Sequence, residues 1–174
     1  MPLMPEPPPE SPSAKNSTDP TAPAPAGRAR NLSQTRVFTA QFDNLETVRQ
    51  FVGDAARNAG LNDSDVYATQ LAVDEAFTNI IEHAYEGESL EKIECSYKIS
   101  KSGIVITLTD CGKPFDPAAI PVPNLEAELE ARDIGGLGLY FIRTLMDEVE
   151  FTFTRQADTG KLCNILRMVK HRES

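Results

Sequence analysis

The sequence predicts an α+β two-layer sandwich, in which a mixed but largely antiparallel sheet carries its helices on one face. Three observations lead to this class. Segments that alternate apolar and polar residues come in pairs joined by short turns, so hairpins dominate. Segments of helical periodicity separate them, in the order β-α-α-β-β-loop-α-β-β. Regular strand–helix alternation is missing, which makes a doubly wound parallel sheet the weaker alternative.

A strand and two helices are expected first. Asp43 or Asn44 can cap the first helix, and Gly60 closes it. The polar run at 62–65 caps the second helix, whose segment LAVDEAFTNIIEHAY is apolar around most of its circumference. The expected bounds are residues 37–42 for the strand, 45–59 for the first helix, and from residue 65 to near Glu86-Gly87 for the second.

Two hairpins surround a loop and a helix in the second half of the domain. Their turns are expected at Lys101-Ser102-Gly103 and at Asp158-Thr159-Gly160-Lys161. The expected elements are strands at 92–100 and 104–109, a stretch of low order to about Ile134 with an acidic helical piece at 125–131, a helix at 139–146, and strands at 149–155 and 162–169.

Residues 1–34 are expected to be a disordered tail, and residues 35–171 to form one domain. Residues 1–30 hold nine of the 13 prolines and no aromatic residue. They cannot bury enough apolar surface to offset the entropy lost on ordering. The tail lacks the apolar segment of a signal peptide, and no run approaches the roughly 18 apolar residues of a membrane span. We therefore expect no membrane partner.

The charge of the folded domain bears on its partners. The chain has a net charge of −9, and the charges of the tail cancel, so the domain itself is acidic. This argues against a nucleic-acid partner, because non-specific DNA binding depends on Lys and Arg. A nucleotide remains compatible with an acidic domain, because Mg²⁺ supplies the positive charge.

The cysteines predict reduced thiols in the cytoplasm. Cys95, Cys111 and Cys163 are odd in number, far apart in sequence and without CxxC spacing. Such a sparse set with no secretion signal is typical of reduced thiols. A structural zinc site is not expected, because only His83 and His171 could assist them.

Glu75 and Asn79 lie four residues apart in the apolar second helix and therefore share one face. Near a buried surface, a carboxylate and an amide lose solvation that something must replace. Either they bond each other and the nearby backbone, or a ligand satisfies them. For a ligand, the Asn oxygen suits Mg²⁺, and the carboxylate could accept a proton from a hydroxyl that attacks a phosphoryl group.

Two further motifs have both ordinary and functional explanations. Asp110-Cys111-Gly112 ends an apolar strand as a turn would, but its carboxylate could accept a hydrogen bond from adenine N6 while Gly112 lets the backbone approach the ring. Gly135-Gly136-Leu137-Gly138 opens a helix either as a hinge with glycine caps or as an anion site made of backbone N–H groups.

Taken in this order and spacing, the motifs resemble the ATP-binding fold shared by histidine kinases, DNA gyrase, MutL and the ninety-kilodalton heat-shock chaperone, the GHKL superfamily. Within it the chain most resembles the small anti-sigma factor serine kinases of bacterial partner-switching systems. The resemblance covers roughly residues 35–170 and rests on AVDEAFTNIIEHAY, TLTDCGKPFDP and GGLGLYFIRTLMDEVEF. It implies ATP and Mg²⁺ as cofactors.

The resemblance also implies a role for each matching residue. Glu75 takes the position of the general base, and Asn79 that of the Mg²⁺ ligand. Asp110 matches the aspartate that reads adenine, with Gly112 lining the ring, and residues 116–134 would form a lid. The implied ATP-binding residues are Asn79, His83, Asp110, Gly112, Pro114, Phe115, Gly135, Gly136, Leu137, Gly138 and Leu139.

Three features stay open. His83 could reach a phosphate oxygen or bond locally at the helix end. Arg49 aligns with a family arginine near the partner interface, although a solvated helix arginine explains it nearly as well. The threonine that often helps hold adenine in the last strand of the family is missing here, which puts nucleotide affinity in doubt. The last strand offers Cys163, Asn164 and Arg167 instead.

The carboxylate of Glu75 indicates which group accepts the phosphoryl group. An imidazole is already a nucleophile at neutral pH, whereas a serine hydroxyl or a water must lose a proton during attack, so a carboxylate favours the latter. ATP-hydrolysing relatives carry large transducer regions, for which this chain has no room. The prediction is a Mg·ATP-dependent protein serine/threonine kinase and anti-sigma-type regulator that phosphorylates a STAS-domain antagonist.

The expected partners are that antagonist, a sigma factor or other effector, and a second copy of the chain in a homodimer. The alternative is a nucleotide-binding or catalytically weak docking module that regulates a non-sigma effector. A titration with ATP and Mg²⁺ separates the two. An ATP-hydrolysing assembly subunit, the third hypothesis, predicts steady phosphate release without a partner.

Overall fold

The structure, a computed structural model, describes residues 32–116 and 137–173. Within these ranges the elements follow the predicted order, with a 3₁₀ turn at Phe42–Asn44 and a π-helical turn at Ile80–Ala84. The strands are β1 (Ser33–Thr39), β2 (Lys92–Ser100), β3 (Gly103–Asp110), β4 (Glu148–Arg155) and β5 (Leu162–His171), and the α-helices are α1 (Leu45–Asn58), α2 (Asp63–Asn79) and α3 (Leu137–Leu145).

The strands form one sheet in the order β1-β2-β3-β5-β4, and each pairing among them is antiparallel. The tight turn between β2 and β3 needs Gly103, which has a φ of 143° and whose Cβ would clash with the Lys170 carbonyl oxygen. In the centre of the sheet, Asp110 at the end of β3 lies opposite Asn164 of β5. The register thus places a polar pair at one end of the two middle strands.

The helices cover one face of this sheet. Every second side chain of β2, from Ile93 to Ile99, is buried, whereas the residues between them are exposed or half-buried. The rings of Phe38, Phe51 and Phe77 link β1, α1 and α2, with centroids 6.1 to 6.4 Å apart. The predicted α+β two-layer class is therefore confirmed.

Two predicted elements, β1 and α2, have bounds that differ from the prediction. β1 begins at Ser33 rather than Val37 and ends before Phe42, because its exposed polar residues pair with β2 without alternating burial. The α-helical part of α2 ends at Asn79 rather than near Glu86-Gly87. A π-helical turn continues it to Ala84.

The predicted caps have mixed outcomes. Asn62 caps α2, since its side chain accepts a hydrogen bond from the backbone N–H of Asp65 at 2.8 Å. Gly60, with a φ of 79°, closes α1 as predicted. Asn44 precedes α1 but makes no capping bond, because its side-chain amide donates to Thr39 instead.

The expectation of three reduced thiols is wrong for two of them. Cys111 and Cys163 form a disulfide, and Cys95 is free and buried. The physical reason is the pairing of β3 with β5, which brings the two Cα atoms within 4.0 Å although 52 positions separate them in sequence.

Several predictions concern residues outside the described ranges. These are nearly all of the tail, the acidic helical piece at 125–131, the lid beyond its first residue, and the two glycines Gly135 and Gly136. Among the helices that the structure does describe, none is both long and apolar enough to cross a membrane.

Candidate functional site

Glu75 and Asn79 lie near the C-terminal end of α2. Both side chains are half-buried beside core residues such as Ala76 and Phe77. Neither side chain hydrogen-bonds to the other or to any other group in the described part of the chain. Mutual bonding therefore does not satisfy these two groups, and no other described residue bonds to them.

The first turn of α3 packs onto the same face of α2. A Cβ at Gly138 would clash with Glu75 Oε1 and would lie 2.8 Å from Asn79 Nδ2. Only a glycine lets the backbone approach these side chains so closely. The described half of the glycine motif and the Glu75/Asn79 pair are therefore in contact, with Leu137 half-buried and Leu139 buried beside them.

The environment of Glu75 favours its neutral form. Burial raises the pKa of this carboxyl, and the nearby carboxylates of Glu82 and Asp74 raise it further. No positive side chain is paired with Glu75 in the described residues. A carboxylate in such a position is a stronger base than an ordinary glutamate, which suits proton abstraction near neutral pH.

Asp110 continues the buried series of β3 on the face that the helices cover, and only 4% of the residue is exposed. Its Oδ1 accepts hydrogen bonds from Asn164 Nδ2 at 2.8 Å and from the Gly112 N–H at 2.9 Å. Burial raises the pKa of Asp110, and these two bonds and the charge of Lys161 oppose that rise. Its other oxygen, Oδ2, accepts no bond from the described residues.

The loop after Asp110 is tied to the end of the second helix. The backbone N–H of Cys111 donates to the Tyr85 hydroxyl at 3.1 Å, and that of Lys113 donates to the Ala84 carbonyl at 2.8 Å. A Cβ at Gly112 would lie 2.5 Å from the same carbonyl oxygen. The close approach that requires a glycine here is thus made to Ala84, whereas an approach to a purine ring stays a prediction.

A second set of contacts ties the loop to β5. Asn164 Nδ2 donates to the Lys113 carbonyl at 2.9 Å, and Asn164 Oδ1 accepts from the Phe115 N–H at 3.1 Å. The Phe115 ring packs against Phe151 with centroids 5.2 Å apart, and Pro114 is exposed. The disulfide joins Cys111 to β5 beside these bonds.

We call residues 110–115 with Asn164 the loop end of the site, and Glu75, Asn79 and Gly138 its helix end. One segment connects the two ends. Gly138 packs beside Asn79, and Gly112 packs beside Ala84 five residues further along. The structure therefore assembles the three motifs around the C-terminal end of α2.

His83 and Arg49 lie outside these clusters. His83 is exposed on the π-helical turn and makes no hydrogen bond within the described residues, so the alternative of a local bond is not found there. Arg49 is not simply solvated. Its Nε donates to Asp74 Oδ2 at 2.7 Å and its Nη1 to Glu46 Oε2 at 3.2 Å.

Sequence reasoning missed three groups around the site. Tyr85 and Asn164 hold the loop end, and Asp74 pairs with Arg49 while its buried Oδ1 has no hydrogen-bond partner in the described ranges. For Tyr85, only its place in the helix containing Glu75 was a signal. For Asn164, the signal was its position in the last strand, where the family often has threonine.

Comparisons with known proteins agree with this architecture. Residues 38–170 match the family described as the histidine kinase-like ATPase domain, and the chain belongs to that family. A serine-protein kinase RsbW from Listeria monocytogenes is 33% identical over 123 residues, which cover 68% of this chain and 78% of the relative. One from Staphylococcus epidermidis is 29% identical over 136 residues, covering 75% and 83%.

A solved structure shows the same fold. The crystal structure of the RsbU and RsbW domains of Rv1364c from Mycobacterium tuberculosis matches with a TM-score of 0.57 and 17% identity. The match covers 84% of this chain but only 35% of that longer one. Together, the comparisons confirm the predicted superfamily, its ATP-binding fold and the enzyme class, a serine/threonine-protein kinase.

Proposed function

We propose that this protein transfers the γ-phosphoryl group of ATP to a serine hydroxyl of a STAS-type antagonist and acts as an anti-sigma-type regulator in a partner-switching system. The observation that supports this most is the helix end, where a carboxylate with no hydrogen-bond partner among the described residues lies against a glycine in the first turn of α3. The relatives named serine-protein kinase support a serine as the acceptor.

In this proposal Glu75 is the general base. The serine oxygen forms a bond to the γ-phosphorus as the bond from that phosphorus to the bridging oxygen breaks, and ADP leaves. The serine proton passes to a carboxylate oxygen of Glu75. Because burial raises the pKa of Glu75, the carboxylate is a better proton acceptor than an exposed one.

Asn79 would hold Mg²⁺ together with phosphate oxygens and water. The donor set fits this ion, because the Asn79 amide is unpaired among the described residues and presents a hard oxygen ligand. No group of three or more His, Cys, Asp or Glu in the described ranges could hold a metal ion by itself. When bound, Mg²⁺ would neutralise the charge of the triphosphate.

At the loop end, Asp110 would accept a hydrogen bond from the amino group of adenine. Its Oδ2 accepts no bond from the described residues, whereas its Oδ1 is already occupied by the protein. An ionised carboxylate can only accept hydrogen bonds, so it suits the 6-amino group of adenine and disfavours the 6-oxo group of guanine.

Arg49 would contribute to partner docking. Its side chain is 43% exposed while it pairs with Asp74, the residue that precedes Glu75. A partner that contacts this arginine would therefore approach the helix that carries the base. We also propose a homodimer as the assembly, a sigma factor or another effector as the protein sequestered, and the cytoplasm as the location. The Cys111–Cys163 disulfide removes reduced thiols as an argument for that location, which therefore rests on the likeness to the kinase relatives.

The direct test is incubation of the protein with radiolabelled ATP and Mg²⁺ and with candidate STAS-domain proteins encoded beside it. We expect transfer of label to a serine of one partner. Glu75→Gln should lower the rate by about 10²–10⁴-fold, the usual contribution of a positioned base. Glu94→Gln, which neutralises an exposed carboxylate that is not among the groups raising the pKa of Glu75, is the control.

Three outcomes would contradict the proposal. Transfer at an unchanged rate by Glu75→Gln would remove the proposed base. ATP binding without transfer to any partner would favour the docking module, and steady phosphate release without a partner would favour the ATP-hydrolysing subunit.

A further inference from the structure

Asn164 lies at the centre of the loop end, although no sequence motif includes it. It is 9% exposed and lies directly opposite Asp110 in the pairing of β3 with β5. Its side-chain amide makes three hydrogen bonds. Nδ2 donates to Asp110 Oδ1 at 2.8 Å and to the Lys113 carbonyl at 2.9 Å, and Oδ1 accepts from the Phe115 N–H at 3.1 Å.

These bonds use both donor hydrogens of the amide and one lone pair of its acceptor. No donor hydrogen is left for a ligand. Asn164 therefore cannot donate to a purine while these bonds persist, and any effect on nucleotide binding must act through Asp110 and the loop. This distinguishes a positioning residue from a binding residue.

The bond to Asp110 has two consequences. It fixes which carboxylate oxygen belongs to the protein, because Oδ1 accepts from both Asn164 and Gly112 while Oδ2 accepts from neither. It also stabilises the ionised form of a carboxyl whose burial favours the neutral acid. A neutral Asp110 would carry a proton that it could donate to a 6-oxo group.

We propose that Asn164 is the positioning residue that keeps Asp110 an ionised acceptor and thereby sets the preference for a 6-aminopurine over a 6-oxopurine. This inference rests on the proposed role of Asp110 in nucleotide binding.

Few other charged groups bear on Asp110. Lys161 attracts it from the turn before β5 and is itself 3.7 Å from Glu91. Tyr85, from the end of the π-helical turn, faces it as a phenol whose pKa is raised, first by burial. In the loop itself, Lys113 is paired with Glu86, and Cys111 is in the disulfide and does not titrate.

The test compares Asn164→Thr with Asn164→Val. The two side chains have nearly the same shape and suit a strand, and both lose the bonds to Lys113 and Phe115. Only threonine retains a donor that can reach Asp110 across the strand pair. The probes are ATP and inosine triphosphate, which differ only in the 6-amino and 6-oxo groups, titrated with Mg²⁺ from mildly acidic to mildly alkaline pH.

We expect Asn164→Val to lose about tenfold in affinity for ATP, the effect of one bond to a charged group. The same variant should keep its affinity for inosine triphosphate. When the pH is lowered, this variant should begin to lose ATP affinity at a higher pH than the wild type does, because Asp110 protonates more readily without the donor. Asn164→Thr should restore much of the wild-type ratio of ATP affinity to inosine triphosphate affinity, and much of the wild-type pH profile.

The inference would be overturned if the wild type, Asn164→Thr and Asn164→Val had the same ratio of ATP affinity to inosine triphosphate affinity and superimposable pH profiles. If the Val variant does not fold, Asn164→Asp decides the matter, because it replaces the donor by an acceptor and must lower the ratio. Failure of the wild type to bind either nucleotide would instead overturn the proposed function itself.

Discussion

The two ends of the site differ in how their polar groups are satisfied. At the loop end, Asp110 Oδ1, the Asn164 amide and four backbone N–H groups are bonded within the protein, and a disulfide adds a covalent tie. At the helix end, Glu75 and Asn79 have no such partners among the described residues. The loop end is thus held by bonds within the protein without a ligand, whereas no described residue bonds to the two side chains of the helix end.

This difference between the two ends fits the two functions proposed for them. In the proposal, Asp110 recognises a base through its one vacant acceptor oxygen, and bonds formed during folding already order the group that binds the base. Groups that must follow charge and proton movement remain free to bond the ligand. Half-burial of two polar side chains that no described residue bonds has a free-energy cost at the helix end.

The largest effect expected at the loop end is on stability when the disulfide is reduced. Cys111 and Cys163 close a loop of 52 positions, for which the chain-entropy account gives about 4 kcal/mol. Wild-type protein should unfold at a lower temperature with dithiothreitol than without it. Cys163→Ser should be insensitive to the reductant and Cys95→Ala should remain sensitive. An unchanged melting temperature on reduction would contradict the rigid loop end.

Replacing Asp110 by asparagine should affect binding next most strongly. An amide oxygen can keep the bonds from Asn164 and Gly112, but its NH₂ then faces the amino group of adenine, donor against donor. We expect ATP affinity to fall by about 10–100-fold, as for loss of a bond to a charged group. Calorimetry with ATP and inosine triphosphate measures it. A variant that still prefers ATP by the wild-type ratio would break the assignment of Asp110.

At the helix end, Gly138→Ala should displace the ends of the Glu75 and Asn79 side chains, because its Cβ would clash with them. These ends are flexible, so the cost should lie near the lower limit of the about 1–3 kcal/mol that overpacking costs, which thermal unfolding can detect. In a Glu75→Ala background the same substitution should cost less, because the clashing carboxylate is gone. Equal costs in the two backgrounds would show that the ends of α2 and α3 are not in contact.

The smallest expected effect is on the pH dependence of phosphate transfer. Removing the charge of Glu82 lessens the rise in the pKa of Glu75, although burial, the first cause, remains. The acid limb of the rate profile should therefore move to lower pH in Glu82→Gln and stay in place in Glu94→Gln. A limb that moves to higher pH, or moves equally in both variants, would contradict this account of Glu75.

Replacing Glu75 should have opposite effects on activity and on folding stability. Because the pKa of Glu75 is raised in the folded state, its ionisation weakens folding once the pH exceeds the ordinary glutamate range. Glu75→Gln should therefore raise the melting temperature at neutral pH, and this gain should vanish in acid, where the carboxyl is protonated in both states. A lower melting temperature at neutral pH would mean that Glu75 has a stabilising partner.

How much the sequence predicts depends on the range of the interactions. The hairpin at 92–110 and the caps at Asn62 and Gly60 follow from local periodicity and turn chemistry, so they were predictable. The start of β1 was not, because Ser33 to Arg36 form an exposed strand that only its pairing with β2 reveals.

In the site too, local features could be predicted from the sequence and long-range ones could not. The spacing of Glu75 and Asn79 is a local helical pattern, and both fall where predicted. The disulfide and the bond from Asn164 to Asp110 join residues 52 and 54 positions apart, so they depend on the register of β3 and β5. No periodicity in a single sequence encodes that register.

The most direct test of the central claim, that the helix end is completed by Mg²⁺ and a triphosphate, is calorimetric titration with ATP in Mg²⁺ and in EDTA. The wild type should bind ATP much more tightly with Mg²⁺. Asn79→Ala should bind with similar affinity in both buffers, because the proposed protein ligand is gone. If the wild type binds ATP equally in both buffers, or if Asn79→Ala keeps the full dependence on Mg²⁺, the account of this site is wrong.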